Sequence, residues 1–350
     1  MAATEYALNH PLAVKHWSKE LLKEALKKTY ALQFIGSGKD SLATIKTETQ
    51  RNAGDRVRVG IRSQLSGAGI KGDDTLEGNE EALETFNQDV IIDQLRHAVR
   101  SKGKMSEQRV PFSVREEARD GLADWWADRL DQWFFNQLCG NTAIVDDRYY
   151  GFNAPAAPDA DHVTFGTSGS TAEASLSASS VARLNLTNID YAVEKAKTAK
   201  NALRPIRING ADHFVLFMHP YQETDLRTNT ASGQWQDIQK AAIQGGQTSN
   251  NPIFTGALGM YNNVILQVST RVPASPTNAS ARRAVLAGAQ ALCIAFGREF
   301  GKGTYSWVEE LFDFKNQLGV AAGCQAGCVK TRFNGSDYGT VVLPTYAVAH

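Results

Sequence analysis

The chain has 350 residues, of which 42% are hydrophobic and 21% charged, so its composition excludes a disordered protein and predicts one or two folded domains. Lysine plus arginine number 37 and aspartate plus glutamate number 37. A net charge of zero argues against a dedicated nucleic-acid binder and leaves self-association unopposed by charge, and no stretch approaches the roughly 18 apolar residues of a membrane span.

The N-terminal segment, residues 10–36, is predicted to form an amphipathic helix. Pro11 suits the first turn, and Val14, Trp17 and Leu21 follow at helical spacing. Its lysine-rich face has two interpretations that the sequence leaves open, a solvated helix face or a basic arm that lies on an acidic neighbour. The segment has no apolar run typical of a signal peptide.

The next segment is predicted to be a long hairpin. "RVRVGIR" alternates with a period of two and is followed by some fifteen polar and glycine residues, after which residues 83–99 return as a strand. The alternation predicts an apolar face with Val57, Val59 and Ile61, and a basic face with Arg56, Arg58 and Arg62. An isolated ribbon is marginally stable in water, so we expect it to lie either on its own domain or on another subunit.

The strongest predicted helix runs from Ser113 to Cys139 and is about 40 Å long. Ser113 and Glu116 match a capping box, and Gly140 is a suitable stop. Three tryptophans lie on its apolar stripe, which we interpret as a core face packed on a sheet rather than as an aromatic ligand site.

The remaining chain is predicted to contain loops and then an α/β unit. Residues 141–184 are rich in Ala, Ser, Gly and Asp and are predicted to be surface loops with short strands. A helix is predicted after a cap at Thr187. Strands at His213–His219 and Asn262–Ser269 with a helix at residues 235–245 between them indicate an α/β layer, and the C-terminal tail is predicted to be mostly strands.

No catalytic, cofactor or metal site is predicted. "GAGIKG" at Gly67–Gly72 fits a dinucleotide fingerprint, but the acidic, glycine-broken "DDTLEG" follows where a helix should open, so flexible turns explain the glycines better. The four cysteines have no framework spacing and are expected to be free thiols in a reducing compartment. They are Cys139, Cys293, Cys324 and Cys328. The last two lie four residues apart without a nearby histidine, which disfavours zinc.

Longer phrases carry a family resemblance. "LSGAGIKGDDTLEGNEE", followed by "SVREEARDGLADWWADRLD" and later by "GMYNNVILQVS", "VEELFDF" and "GSDYGTVVL", resembles the major capsid proteins of tailed bacteriophages. In detail the chain resembles the branch found in podophages that carry a virion RNA polymerase. The resemblance covers roughly residues 36–343.

The resemblance implies an α+β fold, the capsid fold shared by tailed phages and herpesvirus shell floors. Its parts would be an N-terminal arm (residues 1–44), an extended β-hairpin loop (45–111), a peripheral domain (112–185) with a spine helix at 113–139, an axial domain (186–300), and return strands of the peripheral domain (301–350).

The resemblance also implies a function. The chain would assemble in the host cytoplasm into pentamers and hexamers and form an icosahedral virion shell around double-stranded DNA, without sequence-specific binding. The expected partners are its own copies, a portal, a possible decoration protein and, because the arm is short, a separate scaffolding protein. Charged arm residues are predicted to make inter-subunit contacts: Arg56, Arg58, Arg62, Lys71, Asp73, Asp74, Glu77, Glu80 and Glu81.

Two alternatives stay open. One is the shell of a bacterial protein compartment that encloses an enzyme cargo. The other is a nucleotide-binding enzyme that uses "GAGIKG".

Overall fold

A computed structural model describes residues 30–47, 54–62, 65, 67–208, 210–229, 259–297 and 305–350. Residues 10–29 of the predicted N-terminal helix and the helix predicted at residues 235–245 lie outside this part of the chain. The described end of the N-terminal prediction is not α-helical, since Ala31–Phe34 form a 3-10 turn and Ile35–Gly36 a short strand.

Within the described ranges the α-helices are α1 (Lys104–Gln108), α2 (Val114–Leu138), α3 (Leu186–Thr198) and α4 (Pro220–Thr228). The strands are β1 (Ile35–Gly36), β2 (Ala43–Lys46), β3 (Arg56–Arg62), β4 (Thr85–Ile91), β5 (Asp93–Arg100), β6 (Ile206–Ile208), β7 (Ala211–Met218), β8 (Gly259–Tyr261), β9 (Val264–Val268), β10 (Ala281–Ala287), β11 (Leu292–Phe296), β12 (Ser306–Phe312), β13 (Gln317–Lys330), β14 (Arg332–Phe333), β15 (Ser336–Asp337) and β16 (Thr340–Tyr346).

Helix α2 begins and ends where its sequence predicts. The Ser113 hydroxyl accepts a hydrogen bond from the backbone N–H of Glu116 at 3.3 Å, which satisfies one of the free donors of the first turn. Gly140 has a φ of +60°, and a Cβ at this position would lie 2.4 Å from the carbonyl oxygen of Ala156. The helix can therefore end in this way only at a glycine.

Two sheets flank this helix. In the first sheet the strand order is β1-β2-β11-β13-β12, and β5 pairs with β13 as well. In the second sheet the order is β16-β10-β7-β9-β8, and β6 pairs with β7. Strands β7 and β9 are parallel neighbours, as the predicted α/β layer requires.

The main core lies between α2 and both sheets. Phe135 of α2, Phe217 of the second sheet and Ile294 of the first sheet belong to one buried cluster, and the Phe135 and Phe217 rings are 5.6 Å apart. Trp126 and Trp133 are buried in the same cluster, so the prediction that the tryptophan stripe is a core face is confirmed. A separate cluster fills the space between α3 and the second sheet.

Residues 141–184 do not form the predicted short strands. They form a series of 3-10 turns, and part of this segment is buried against α2. The side chains of Trp133, Asn136 and Gln137 donate hydrogen bonds of 2.7–2.9 Å to successive backbone carbonyls of residues 148–150. Most of the segment is exposed or half-buried, as its polar composition predicts, and helix side chains satisfy part of its irregular backbone.

The cap of α3 also differs from the prediction. The N-cap is Asn185, two residues before Thr187, and its side chain accepts from the N–H of Asn188 at 2.8 Å. Both residue types cap helices well, so local sequence did not separate them.

Two strands join a different sheet from the one that the predicted domain boundaries imply. Strand β16, within the predicted return strands, pairs with β10 in the second sheet. Strand β11, within the predicted axial domain, pairs with β2 and β13 in the first sheet. Pairing between distant strands leaves no periodic mark in the sequence, which explains the difference.

Candidate assembly surface

The predicted hairpin forms from β3 and β4, and this arm has its base on its own subunit. The predicted return strand at residues 83–99 is only half in the hairpin, because β5 pairs with β13 of the first sheet. Val57 and Val90 are opposite each other in the ladder, and both are buried. They pack on Cys293, Ala295 and Val329 of the first sheet. Leu292 and Ile294 point to the opposite face of that sheet, into the main core, as strand alternation requires. The ribbon was expected to lie either on its own domain or on another subunit, and its base packs on its own domain.

Polar side chains fix this base more tightly. The Gln88 amide donates to the carbonyl of Lys330 at 2.8 Å and accepts from the N–H of Arg332 at 2.7 Å. Asn153 accepts from the N–H of Ile91 at 2.9 Å and donates to its carbonyl at 3.0 Å. Asn153 thus satisfies both backbone groups of Ile91, as a neighbouring strand would.

The exposed face of the arm carries the predicted basic residues. Arg58 makes an ion pair with Asp89, its cross-strand partner, with Nε and Oδ1 2.7 Å apart. This hydrogen bond raises the pKa of Arg58 and lowers the pKa of Asp89. Arg56 and Arg62 are exposed on the same face. Arg58 therefore already has a partner within its own hairpin, which the sequence analysis did not predict.

Beyond the strands the arm becomes a loop without helix or strand in residues 67–84. Gly69, Gly72 and Gly78 have φ values of +74°, +65° and +90°, which explains these glycines as turn residues. No helix begins after "GAGIKG", so the geometry of a dinucleotide site is absent from this described segment.

Two of the predicted acidic contacts serve the loop itself. The Glu81 carboxylate accepts from the N–H of Gly67 at 2.7 Å, and Glu80 accepts from the N–H of Gly78 at 2.8 Å. The remaining predicted contact residues of the loop are exposed, as Glu80 and Glu81 are: Lys71, Asp73, Asp74 and Glu77.

The loop also exposes large apolar side chains. Leu65, Ile70, Leu76 and Leu83 are 58%, 39%, 62% and 55% exposed. Four such side chains within about twenty residues make this part of the arm a candidate contact surface. A cavity of about 690 Å³ opens between the arm and the body, with Ile61 and Phe86 on the arm side and Lys200 and Tyr338 on the body side.

A second exposed apolar surface was missed by the sequence analysis. It follows edge strand β12 and its turn, where Trp307, Val308 and Leu311 are 42%, 55% and 54% exposed. The available signal was the Glu-rich segment "WVEELFDF", in which apolar residues alternate imperfectly.

Features of other functional classes are absent from the described ranges. These residues contain no group of three or more His, Cys, Asp or Glu side chains that could hold a metal ion. The four cysteines are free and buried, and burial raises the pKa of Cys139 to about 12 and that of Cys328 still further. In the same ranges no helix has the length and apolar character needed to span a membrane.

Comparisons with known proteins agree on one family. A family model described as "Phage capsid protein" matches residues 5–349. The major capsid protein of Pseudomonas phage KPP25 is 26% identical over 363 aligned positions, which cover 93% of each chain.

Solved structures extend the similarity to the fold. The capsid of Ralstonia phage GP4 is 35% identical, covers 99% of both chains and superposes with a TM-score of 0.84. The capsid of cyanophage Pam1 shares the fold at 21% identity, with a TM-score of 0.77 and coverage of 99% of this chain and 100% of that chain.

Proposed function

This chain belongs to the phage capsid protein family, and from that premise we propose that it builds its shell through an arm that lies across a neighbouring copy. Members of the family are structural shell proteins rather than enzymes, and the fold is the α+β capsid fold. The chain is therefore a subunit of a virion shell that is made from copies of itself.

The observation that carries the proposal is the contrast between the two ends of the arm. Its base is held by buried valines and by the Gln88 and Asn153 hydrogen bonds, whereas its tip exposes four large apolar side chains. Burying each of these side chains on a neighbour would stabilise the contact by about 1 kcal/mol. A rigid base lowers the entropy cost of placing the tip there.

Charge complements this apolar contact. We propose that Arg56 and Arg62 on the arm, together with the exposed Lys71, Asp73, Asp74 and Glu77 of the loop, pair with neighbouring copies. Exposed pairs of this kind select partners and register more than they add affinity. Arg58, Glu80 and Glu81 would contribute less, because each already has a partner within the arm.

Contacts of this head-to-tail type close into rings. We propose pentamers and hexamers that together enclose double-stranded DNA in an icosahedral head. Gly69, Gly72 and Gly78, which have positive φ values, would let the arm loop bend differently in a pentamer and in a hexamer. A net charge of zero suits a shell that encloses DNA without binding its phosphates tightly.

The division into N-terminal arm, extended loop, peripheral domain and axial domain stays a proposal. Its boundaries at residues 44, 111, 185 and 300 follow the family resemblance.

The finer relationships are also proposals. The longer "LSGAGIKGDDTLEGNEE" phrase supports the podophage branch that carries a virion RNA polymerase, and mass spectrometry of purified virions for a very large polymerase chain would test it. A separate scaffolding protein, a portal and a decoration protein are the further partners that we expect.

Electron microscopy of the purified chain tests the assembly itself. We expect rings or round shells from the wild type and their loss when residues 67–78 are deleted, since that deletion removes Ile70 and Leu76. Circular dichroism of the deleted variant checks that the subunit still folds. A wild-type chain that stays monomeric under every condition, or a deleted variant that still forms shells, would contradict the proposal. Copurification of an enzyme rather than DNA would favour the compartment alternative.

The Arg58 contact has a sharper test. Arg58→Glu places two acidic side chains opposite each other, whereas the double change Arg58→Asp with Asp89→Arg restores an ion pair within the hairpin. If Arg58 acts on a neighbour, both variants lose shells. Recovery of shell yield in the double variant alone would assign Arg58 to its own hairpin.

A further inference from the structure

The turn between β12 and β13 displays a phenylalanine at its tip. Phe314 is 104% exposed, as much as an isolated residue would be. Asp313, Phe314 and Lys315 have φ values of +50°, +47° and +71°, a left-handed run that bulky residues rarely adopt. The backbone conformation costs free energy in an isolated subunit, while the exposed ring gains none from folding. Backbone strain of this kind clusters at functional sites.

The turn is nevertheless well held. The N–H of Asn316 donates to the carbonyl of Asp313 at 2.9 Å, and the Gln317 side chain donates to the carbonyl of Lys102 at 3.2 Å. The Arg100 guanidinium lies 4.3 Å from the centre of the Phe312 ring at the end of β12. The Phe314 ring is thus presented on an ordered support, which suits it to a binding anchor.

An apolar cavity of about 360 Å³ lies elsewhere on the same subunit, between α2 and the first sheet. Its walls include Leu122, Trp126, Leu130, Tyr305, Trp307 and Ala322. The Trp126 and Tyr305 rings meet edge to face with centres 5.2 Å apart, and aromatic walls of this kind favour an aromatic occupant.

One polar atom of the cavity wall is unsatisfied. Trp126 is 4% exposed, and within the described residues its indole N–H is buried without a hydrogen-bond partner. A buried donor of this kind costs free energy until an acceptor arrives, and the backbone carbonyls of an incoming turn are acceptors. Arg119 lines the cavity as well, and its guanidinium pairs with Asp120 of the same subunit at 3.1 Å.

Phe314 does not reach the cavity of its own subunit. Trp307, in the cavity wall, is near one end of β12, and the turn follows the other end. At about 3.3 Å per residue the strand keeps the turn roughly 17 Å away. An occupant from this turn must therefore come from a second copy.

We propose that the Phe314 turn of one subunit inserts into this cavity of a neighbouring subunit. The contact joins two different surfaces of the same chain, so it is head-to-tail, and it extends the shell rather than ending at a dimer. This inference rests on the proposed function, but it names a contact that does not involve the arm.

Phe314→Asn is the most informative variant. Asparagine tolerates left-handed backbone, so the subunit should be as stable as the wild type or more stable, while the anchor ring is lost. We expect the concentration needed for shell formation, measured by light scattering, to rise roughly tenfold or more. Phe314→Leu, which keeps an apolar side chain, should retain most assembly. Val145→Asn changes another exposed apolar residue (89%) and is the matched control.

A cysteine pair tests the partner directly. All native cysteines are buried, so Phe314→Cys combined with Ala123→Cys at the cavity should give a ladder of disulfide-linked oligomers on a non-reducing gel. Phe314→Cys combined with Val145→Cys should give none. The gel is run on samples above the assembly threshold of each variant.

Three outcomes would overturn the proposal. They are unchanged assembly of Phe314→Asn, a pair at positions 314 and 123 that does not cross-link in assembled shells, and a ladder from Leu76→Cys with Ala123→Cys, which would assign the cavity to the arm. In each case wild-type shells would still form, so this failure is distinct from failure of the proposed function.

Discussion

At the scale of single residues, buried polar side chains set the ends of the elements. Asp131 of α2 accepts from the N–H groups of Tyr30 and Ala31 at 2.9 Å each and so anchors the first described residues. Burial raises the pKa of Asp131, while these two hydrogen bonds oppose the increase. Such groups stabilise the fold only while their protonation state matches their partners.

His219 makes the clearest prediction of this kind. Its Nδ1 accepts from the N–H of Tyr221 at 3.2 Å and caps α4, so the folded protein needs the neutral ring. Burial and the nearby Arg282 lower its pKa from the usual 6.5 to about 4. Between these values the unfolded chain binds the proton more readily, so this contribution is complete above about pH 6.5 and is lost as the pH falls towards 4.

We therefore expect His219→Asn, which caps the helix without titrating in this window, to lose less stability on acidification than the wild type. Urea unfolding at pH 7, 5.5 and 4.5 measures the difference. Carboxylates contribute in both proteins, so the comparison isolates His219. Parallel pH profiles would show that His219 does not carry this dependence.

At the scale of elements, Arg283 of β10 joins α2 to the irregular segment that covers it. Its guanidinium donates to the carbonyls of Cys139 and Gly140 at 3.1 and 2.6 Å, where cations suit a helix C-terminus. It also pairs with the Glu173 carboxylate at 2.8 Å, with both side chains about nine-tenths buried. The 3-10 segment is therefore fastened to the core by charge as well as by packing.

Glu173→Ala leaves this buried cation without its anion and should lower the free energy of unfolding by about 3 kcal/mol. Glu173→Gln keeps a hydrogen-bond acceptor and should cost less. Urea unfolding measures both changes. Asp212→Ala, which breaks the exposed Arg207–Asp212 pair, is the control and should change stability little. Equal effects of Glu173→Ala and Asp212→Ala would contradict a special role for the buried pair.

At the scale of the whole molecule, a body of two sheets presents two separate candidate contact surfaces. One is the arm, with its apolar loop, and the other is the β12–β13 turn with its Phe314 tip. Both are built on ordered strands, so neighbouring copies meet surfaces that are already shaped. The zero net charge lets these copies approach without mutual repulsion.

The same balance of charge predicts weak binding to DNA by the free chain. Affinity for duplex DNA depends on neutralising phosphates and releasing counterions, and 37 basic residues here are offset by 37 acidic ones. We expect no gel shift of a duplex at 0.15 M salt and micromolar protein, with a known basic DNA-binding domain as the positive control. A shift that weakens steeply with added salt would reveal a basic surface that the total charge conceals.

The sequence by itself determined the local features of this protein. A two-residue period predicted the arm, a capping serine and a final glycine predicted α2, and the buried strands β7 and β9 follow their apolar runs. Its longer phrases identified the family. These features depend on residues that are close along the chain, where period and cap chemistry act directly.

Only the tertiary structure decided which distant segments meet. It placed β16 in the second sheet and β11 in the first, joined residues 148–150 of the polar segment to side chains of α2, and joined Arg58 to Asp89. It also revealed that Phe314 is fully exposed while an apolar cavity lies beyond its reach. Such pairings depend on contacts between residues far apart in sequence, and those contacts leave no periodic signal from which to predict them.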